Sequence, residues 1–241
     1  MLVQTRGLVL RQTKYGETSV ICSIYTEELG LQSYLVNGIR SSKAKTKANL
    51  LRPMSLLQLV VYHREGKNLQ RIKEMSHDYL YQQVLFDIRK GAVGLFMIEI
   101  LNKVLKEESP NAALFDFLHT HFVDLDLQDQ PLTFYPLLFM LRLSGHLGFL
   151  PHIDQQAHHF FDLEEGLFTT DRPIHPNYIG RPQSDALYDL IRYVRQSDRP
   201  PQLDKATRKV LLGDLLRYYE LHVEGFKKVN AHAILETVFS A

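Results

Sequence analysis

The chain has 241 residues, 45% of them apolar, so it is long enough to bury one large core or two small ones. Cys22 is the only cysteine, which excludes an internal disulfide and favours a reducing compartment. The net charge of +1 hides an asymmetry: residues 1–75 hold twelve Lys and Arg against five Asp and Glu, and residues 76–241 hold sixteen against twenty-two. Two segments of opposite charge suggest two domains with different partners.

The first third of the chain has the pattern of a small all-β domain, in which short apolar segments alternate with turn residues. This pattern predicts five strands, at 6–12, 19–26, 31–36, 55–63 and 68–77. The longest insertion lies between the third and fourth strands, where Asn37-Gly38 favours a turn and 44–51 a helical turn. Such a layout favours an OB-fold barrel over residues 1–77, although an SH3-like barrel would give a similar pattern.

The insertion at 37–47 is strongly basic, and no Asp or Glu occurs between Glu28 and Glu65. Cations on a barrel can neutralise DNA phosphates, and tyrosines beside them can stack on unpaired bases. The candidate DNA-binding residues are Arg11, Lys14, Arg40, Lys43, Lys45, Lys47 and Arg52, with Tyr15, Tyr34 and Tyr62 as candidate stacking rings. We expect this set of residues to bind single strands, with little sequence preference and with an affinity that falls steeply as the salt concentration rises. The alternatives are a solvated loop for the charges and barrel packing for the tyrosines.

From residue 76 onward, apolar residues recur with the period of about 3.6 that is typical of helices. The predicted helices cover 79–105, 111–127 and 133–149, one begins near 187, one is N-capped by Asp204, and the last covers 231–239. Residues 150–183 are rich in His, Pro and Gly and are predicted to be irregular. The predicted fold class is therefore α+β, with the OB-fold barrel followed by an α-helical bundle domain over 78–241.

Enzyme motifs are absent from the sequence: it has no phosphate-binding glycine loop, no nucleophile elbow and no Cys–His pair. One region could hold a metal, because His152, His158, His159 and His175 lie near several carboxylates. Adjacent residues such as His158 and His159 would point apart, unlike the His pairs of zinc sites. We expect a protein without catalytic activity. A metal-dependent hydrolase built on this His-rich region is an alternative.

Several short motifs occur in a fixed order in this sequence. They are Gly7-Leu8-Val9-Leu10-Arg11, Lys14-Tyr15-Gly16-Glu17-Thr18, Tyr25-Thr26-Glu27-Glu28-Leu29-Gly30, Asn37-Gly38-Ile39-Arg40, Leu51-Arg52-Pro53, Leu141-Arg142-Leu143 and Leu147-Gly148-Phe149-Leu150-Pro151. Together they resemble the RecO family of bacterial recombination-repair mediators, over most of the chain. The resemblance implies an OB fold followed by an α-helical domain.

The resemblance also implies a function. RecO-type proteins bind single- and double-stranded DNA, anneal complementary strands and, with RecR, help load RecA onto strands covered by single-stranded-DNA-binding protein. They act without nucleotide hydrolysis and recognise the acidic, Phe-terminated tail of that binding protein. For this tail we expect Arg142 beside an apolar groove of Leu138, Leu141 and Phe149, and the alternative is that Arg142 only caps the bundle surface. We further expect a cytoplasmic, nucleoid-associated protein, since the first residues lack the pattern of a signal peptide.

Many relatives carry a four-cysteine zinc module after the Leu-Gly-aromatic-x-Pro motif, whereas residues 152–180 contain no cysteine. Gln156 and His159 stand about where the first cysteine pair would be expected. We therefore expect no zinc or other cofactor, in a module held together by Phe160, Phe161, Leu163 and Phe168. Replacement of the thiolates by histidines is the alternative for this region. For the whole chain, the main alternative is a protein-only adaptor with no DNA role.

Overall fold

The structure is a computed structural model that describes residues 1–39, 45–106, 109–129, 131–153, 159–196 and 201–239, without the side chains of residues 45–47 and 236. The chain forms two compact units, Met1–Gln130 and Pro131–Ala241. The change from strands to long helices falls inside the first unit. The domain boundary placed after residue 77 stays a prediction.

The first unit begins with a closed five-stranded barrel. Its strands are β1 (Leu2–Tyr15), β2 (Ser19–Thr26), β3 (Gly30–Val36), β4 (Leu56–Tyr62) and β5 (Gln70–Tyr79), in the order β1-β2-β3-β5-β4. The antiparallel pair of β1 with β4 closes the barrel, and β3 pairs with β5 in parallel. The parallel pairing of β3 with β5 confirms the predicted OB-type barrel, because neighbouring strands in an SH3-like barrel are antiparallel. Helix α1 (Lys45–Leu50) lies between β3 and β4.

Alternate residues of the strands fill the barrel core. Val20, Cys22 and Ile24 of β2 are buried, and Tyr34 of β3 is fully buried among them. Gly7 of β1 leaves room for the side chains of the core, since a Cβ at this position would lie 2.8 Å from Ile24 Cγ2. Tyr34 is thus a core residue, and the idea that its ring stacks on a base is wrong.

Two helices complete the first unit, α2 (Ile88–Val104) and α3 (Ala112–Leu127). Both are hydrogen-bonded to β1: Asn102 Nδ2 donates to the Leu10 carbonyl at 3.1 Å, and Arg6 binds Asp116 at 2.7 Å. Phe115 of α3 also covers Tyr25 of β2, with ring centroids 6.3 Å apart. The helices therefore cover one end of the barrel's outer face.

The helix predicted from residue 79 begins later than expected, because residues 80–87 are not helical. Asp87 is the N-cap of α2, and its carboxylate accepts hydrogen bonds from the N–H groups of Arg89 and Lys90. Within this segment, the N–H groups of residues 82–84 donate to Asp126 of α3, a contact that the local period cannot reveal. The Asp126 carboxylate accepts from the N–H groups of Gln82, Gln83 and Val84.

Helices and one small sheet make up the described part of the second unit. The helices are α4 (Tyr135–His146), α5 (Gln183–Gln196), α6 (Lys205–His222) and α7 (Ala231–Val238). A 3-10 turn, Leu132–Phe134, precedes α4. Asp204 caps α6 as predicted, since its carboxylate accepts from the Thr207 N–H at 2.7 Å. The region predicted to be irregular contains an antiparallel sheet of β6 (Phe160–Asp162), β7 (Leu167–Thr169) and β8 (Tyr178–Gly180), in the order β7-β6-β8.

The α+β fold class is confirmed by these elements. None of the helices in the described ranges combines the length and the apolar character that crossing a bilayer requires.

Candidate nucleic-acid interface

Arg11 and Lys14 are exposed on the ribbon formed by β1 and β2. A bulge interrupts the register between Val9 and Arg11, after which Arg11 lies opposite Ser23 and Lys14 opposite Val20. Residues three positions apart in a strand point to opposite faces, so Arg11 lies on the outer face and Lys14 at the rim of the inner face. The two cations therefore do not form a single patch.

The basic insertion begins beside this ribbon. The Ile39 N–H donates to the Thr18 carbonyl at 3.0 Å, and the Ser19 hydroxyl donates to Asn37 Oδ1 at 3.0 Å. The start of the insertion is thus attached to the β1–β2 turn, close in the chain to Lys14. Arg40 and Lys43 lie outside the described residues, and for Lys45 and Lys47 only the backbone, at the start of α1, is described.

Arg52 lies in the turn that follows α1 and is exposed. The turn is held by the Ser55 N–H, which donates to the Arg52 carbonyl at 3.1 Å, and by Met54, whose φ is 79°. Within the described ranges, no carboxylate pairs with Arg11, Lys14 or Arg52. The three side chains are thus available to phosphates.

Two of the three candidate stacking rings are accessible: Tyr15 is 53% exposed and Tyr62 is 46% exposed. Tyr62, at the end of β4, lines a cavity of about 560 Å³ that the sequence pattern did not mark. Its other lining residues are Leu35, Arg64, Lys67, Leu69, Gln70 and Arg71. This grouping could not be predicted from the sequence, because it depends on the register of β3, β4 and β5.

The residues predicted to bind an acidic tail do not all reach the surface. Leu141 is 1% exposed and belongs to the core of the second unit, so its proposed contact with a peptide is wrong for this fold. Leu138 and Arg142 are partly exposed and lie one helical turn apart on α4. Phe149 packs against Tyr219 and His222, with ring centroids 5.0 and 5.5 Å apart.

A second groove, of about 170 Å³, lies between α4, α6 and α7 of the same unit. Its apolar residues are Pro136, Leu137, Leu212, Leu235 and Phe239, and its cations are Lys205, Arg208 and Lys209. The guanidinium carbon of Arg208 lies 5.3 Å from the centre of the Phe134 ring. Sequence reasoning missed this groove because its three helices are far apart in the chain.

Apolar packing holds the small sheet of the second unit together. Phe161 is fully buried, with its ring centroid 4.9 Å from that of Phe168 and 5.7 Å from that of Tyr218. His175 Nε2 lies 3.0 Å from Asp162 Oδ2. Among the residues that the structure describes, no three His, Cys, Asp or Glu side chains are placed to hold a metal; Gln156 and His158 lie outside them. The side chains present do not fit a four-thiolate zinc site, and the absence of zinc stays a prediction.

Comparison with known proteins identifies the family. The family model for the N-terminal part of recombination protein O matches residues 1–79, and the model for its C-terminal part matches residues 85–231. A DNA repair protein RecO from Flavobacterium psychrophilum is 32% identical over 100% of both chains. Those from Bacteroides fragilis and Porphyromonas gingivalis are 32% and 28% identical, each over 99% of this chain and 100% of the relative. With both models matched and full-length identity above 30%, the chain belongs to the RecO family of DNA repair proteins.

Proposed function

We propose that this protein is a recombination mediator that binds single- and double-stranded DNA through its barrel and acts by binding, without catalysis. The observation that carries the proposal is the set of exposed cations on the barrel that no described carboxylate neutralises: Arg11, Lys14 and Arg52. The basic insertion at 37–47, between β3 and β4 in the chain, contributes four further cations. Membership of the RecO family supports a role in DNA repair.

Binding of this kind is driven mainly by the release of counterions from the DNA backbone. If five or six of these cations contact phosphates, the slope of log K against log salt on single strands should be about −4. Backbone contacts carry no sequence information, so we expect similar affinity for different sequences.

The test of DNA binding is the combined change of Lys43, Lys45 and Lys47 to Glu. We expect a large loss of affinity for a labelled single strand at moderate salt, because three attractions become three repulsions. Fluorescence anisotropy at two salt concentrations measures this loss. Changing Arg181, Lys227 and Lys228, exposed cations of the second unit, to Glu is the matched control for net charge. Affinity within twofold of the unchanged protein would contradict the assignment and favour the protein-only adaptor.

The family resemblance supports a finer role, which we also propose. The protein anneals complementary strands and, with RecR, helps to load RecA onto strands coated by single-stranded-DNA-binding protein, at the nucleoid in the cytoplasm. The measurement is RecA assembly on coated strands, with and without RecR. Assembly that this protein does not accelerate under either condition would contradict the loading role.

For the acidic, Phe-terminated tail of single-stranded-DNA-binding protein, we propose the groove between α4, α6 and α7. An apolar floor suits the terminal Phe ring, and Lys205, Arg208 and Lys209 suit the acidic residues and the terminal carboxylate. The surface around Arg142 suits this ligand less well, because Leu141 is buried and Phe149 is engaged in aromatic packing.

A further inference from the structure

The cavity at the β4–β5 loop combines apolar and cationic walls on the outside of the barrel. Tyr62, Leu35 and Leu69 form the apolar part, and the cations are Arg64, Lys67 and Arg71. Its volume of about 560 Å³ lies in the range typical of small-ligand sites. None of the three cations belongs to the basic insertion.

Strand register explains why these side chains meet. Arg71 of β5 lies opposite Tyr62 of β4 on one side and opposite Leu35 of β3 on the other. Paired residues point to the same face of a sheet, so the three side chains form a row on the outer face. The row continues through Ile21 of β2 to Thr13 of β1, the outer-face neighbour of Arg11. The cavity and Arg11 therefore lie on one continuous face of the barrel.

The loop that carries Arg64 and Lys67 is held in place by a buried side chain. Gln70 is 3% exposed, and its Nε2 donates to the carbonyls of Arg64 and Lys67 at 2.9 and 2.8 Å. Its Oε1 accepts from the Arg64 N–H at 3.0 Å. Gly66, with a φ of 72°, permits the tight turn between the two cations. A loop fixed in this way loses little conformational entropy when a ligand binds.

The charges of the cavity are not neutralised by neighbouring residues. Across the described ranges, no carboxylate pairs with Arg64, Lys67 or Arg71. Lys73, on the same strand, shows the contrast, because its Nζ lies 3.1 Å from Glu74 Oε1. Three exposed, unpaired cations attract phosphates, and the half-exposed Tyr62 ring offers a face to a flat aromatic ligand. A nucleotide supplies both chemical groups.

We propose that this cavity is a subsite for single-stranded DNA, in which one unpaired base stacks on Tyr62 and its flanking phosphates bind Arg64, Lys67 and Arg71. The bases of a duplex are already paired and stacked on each other, so the subsite favours single strands. The inference rests on the proposed function, DNA binding by the barrel, and adds to it a contact with the base itself.

Tyr62→Ala in the full chain tests the stacking contact. Affinity is measured with a labelled thymidine oligonucleotide and with an oligonucleotide of equal length that has abasic sites throughout. We expect affinity for the first to fall about five- to 150-fold, the range for loss of one stacked base, and affinity for the second to stay within twofold. Tyr62→Phe keeps the ring and should bind the thymidine oligonucleotide as the unchanged protein does. Equal affinity of Tyr62→Ala and the unchanged protein, or an equal fall on both oligonucleotides, overturns the proposal.

The cations are tested by changing Arg64, Lys67 and Arg71 together to Ala. The log–log salt slope on single strands should become less steep by about 2, since three phosphate contacts are lost. Changing Arg181, Lys227 and Lys228 to Ala removes the same charge from the second unit and should leave the slope unchanged. Equal slopes for the two triple variants contradict the subsite.

Failure of the proposed function is distinguishable from failure of the subsite alone. If the unchanged protein binds neither oligonucleotide, the proposal of DNA binding by the barrel is contradicted, and the proposal of the subsite is contradicted with it. If the unchanged protein binds both and Tyr62→Ala binds them equally well, only the subsite is wrong.

Discussion

Asp126 connects three parts of the first unit through one buried carboxylate. It is fully buried, accepts three backbone N–H bonds from residues 82–84, and accepts the Tyr79 hydroxyl at 2.9 Å. Its own carbonyl accepts from Lys90 Nζ at 2.6 Å. Burial alone would raise the pKa of Asp126, but these donated hydrogen bonds outweigh it and hold the pKa below its ordinary value.

Asp126→Ala should lower the free energy of unfolding by about 3 kcal/mol, because three backbone N–H groups and a hydroxyl lose a charged acceptor. Urea unfolding at neutral pH measures the change. Asp124→Asn is the matched control, since Asp124 is an exposed residue of the same helix, and should change stability by less than about 0.5 kcal/mol. Similar stabilities for the two variants would contradict the role of Asp126.

Asp126 should also make stability depend on pH in acid. Its pKa is lower in the folded than in the unfolded chain, so its contribution is complete above the ordinary carboxyl pKa of about 4. The contribution is lost as the pH falls below that value and through the lowered pKa. Asp126→Ala should therefore lose less stability than the unchanged protein in this acid range. Parallel losses in the two proteins would show that another group is responsible.

At the residue scale, local alternation along a strand is a sufficient signal for some positions, although Tyr34 was wrongly expected to stack on a base. Tyr34 could have been assigned to the core, because the buried residues of β3 alternate at Gln32, Tyr34 and Val36. The contribution of Tyr62 to the cavity could not have been predicted in this way, because it depends on the pairing of β4 with β5 and of β5 with β3. Asp126 was equally hidden, because its partners lie in a different chain segment.

At the scale of elements, the groove between α4, α6 and α7 yields the most specific expectation. Changing Lys205 and Lys209 together to Glu should weaken binding of an acidic, Phe-terminated peptide at least tenfold, because two attractive charges become repulsive. DNA binding should stay within twofold. Arg208 is left unchanged because it donates to the Leu203 carbonyl and stacks on Phe134, so its loss could disturb the fold.

Arg142→Glu is the control for this experiment, since it tests the surface first predicted for the peptide. We expect peptide binding by Arg142→Glu to match that of the unchanged protein, and a peptide without its terminal Phe to bind weakly to both. If Arg142→Glu loses peptide binding and the variant with changes at Lys205 and Lys209 keeps it, the groove is the wrong site.

The elements themselves could largely be predicted, with informative exceptions. The predicted strand at 19–26 coincides with β2, and Asp204 caps α6 as expected, because a period of two and a capping residue are local signals. Strands β6, β7 and β8 have three residues each, which is too short for any period to appear. Residues 80–87 continue the apolar spacing of α2 without being helical, because Asp126 accepts the backbone N–H groups of residues 82–84.

At the scale of the whole molecule, the chain has a basic first third and an acidic remainder, and its candidate sites for DNA and for an acidic peptide lie in different units. The exposed cations Arg11, Lys14 and Arg52 belong to the first unit, and the groove with Lys205 and Lys209 belongs to the second. Residues 76–241 are net acidic, so their surface as a whole does not favour DNA, and the cations of the groove are a local exception.

The peptide and DNA should therefore bind at the same time. We expect the affinity for a labelled acidic, Phe-terminated peptide to stay within threefold when a saturating unlabelled single strand is added, because each ligand uses its own set of cations. A modest loss is consistent with repulsion between two anions, and it should shrink at higher salt, where charges are screened. Displacement of the peptide in proportion to the DNA added would instead show that both ligands use the same cations, and would contradict the assignment of DNA to the barrel and the peptide to the groove.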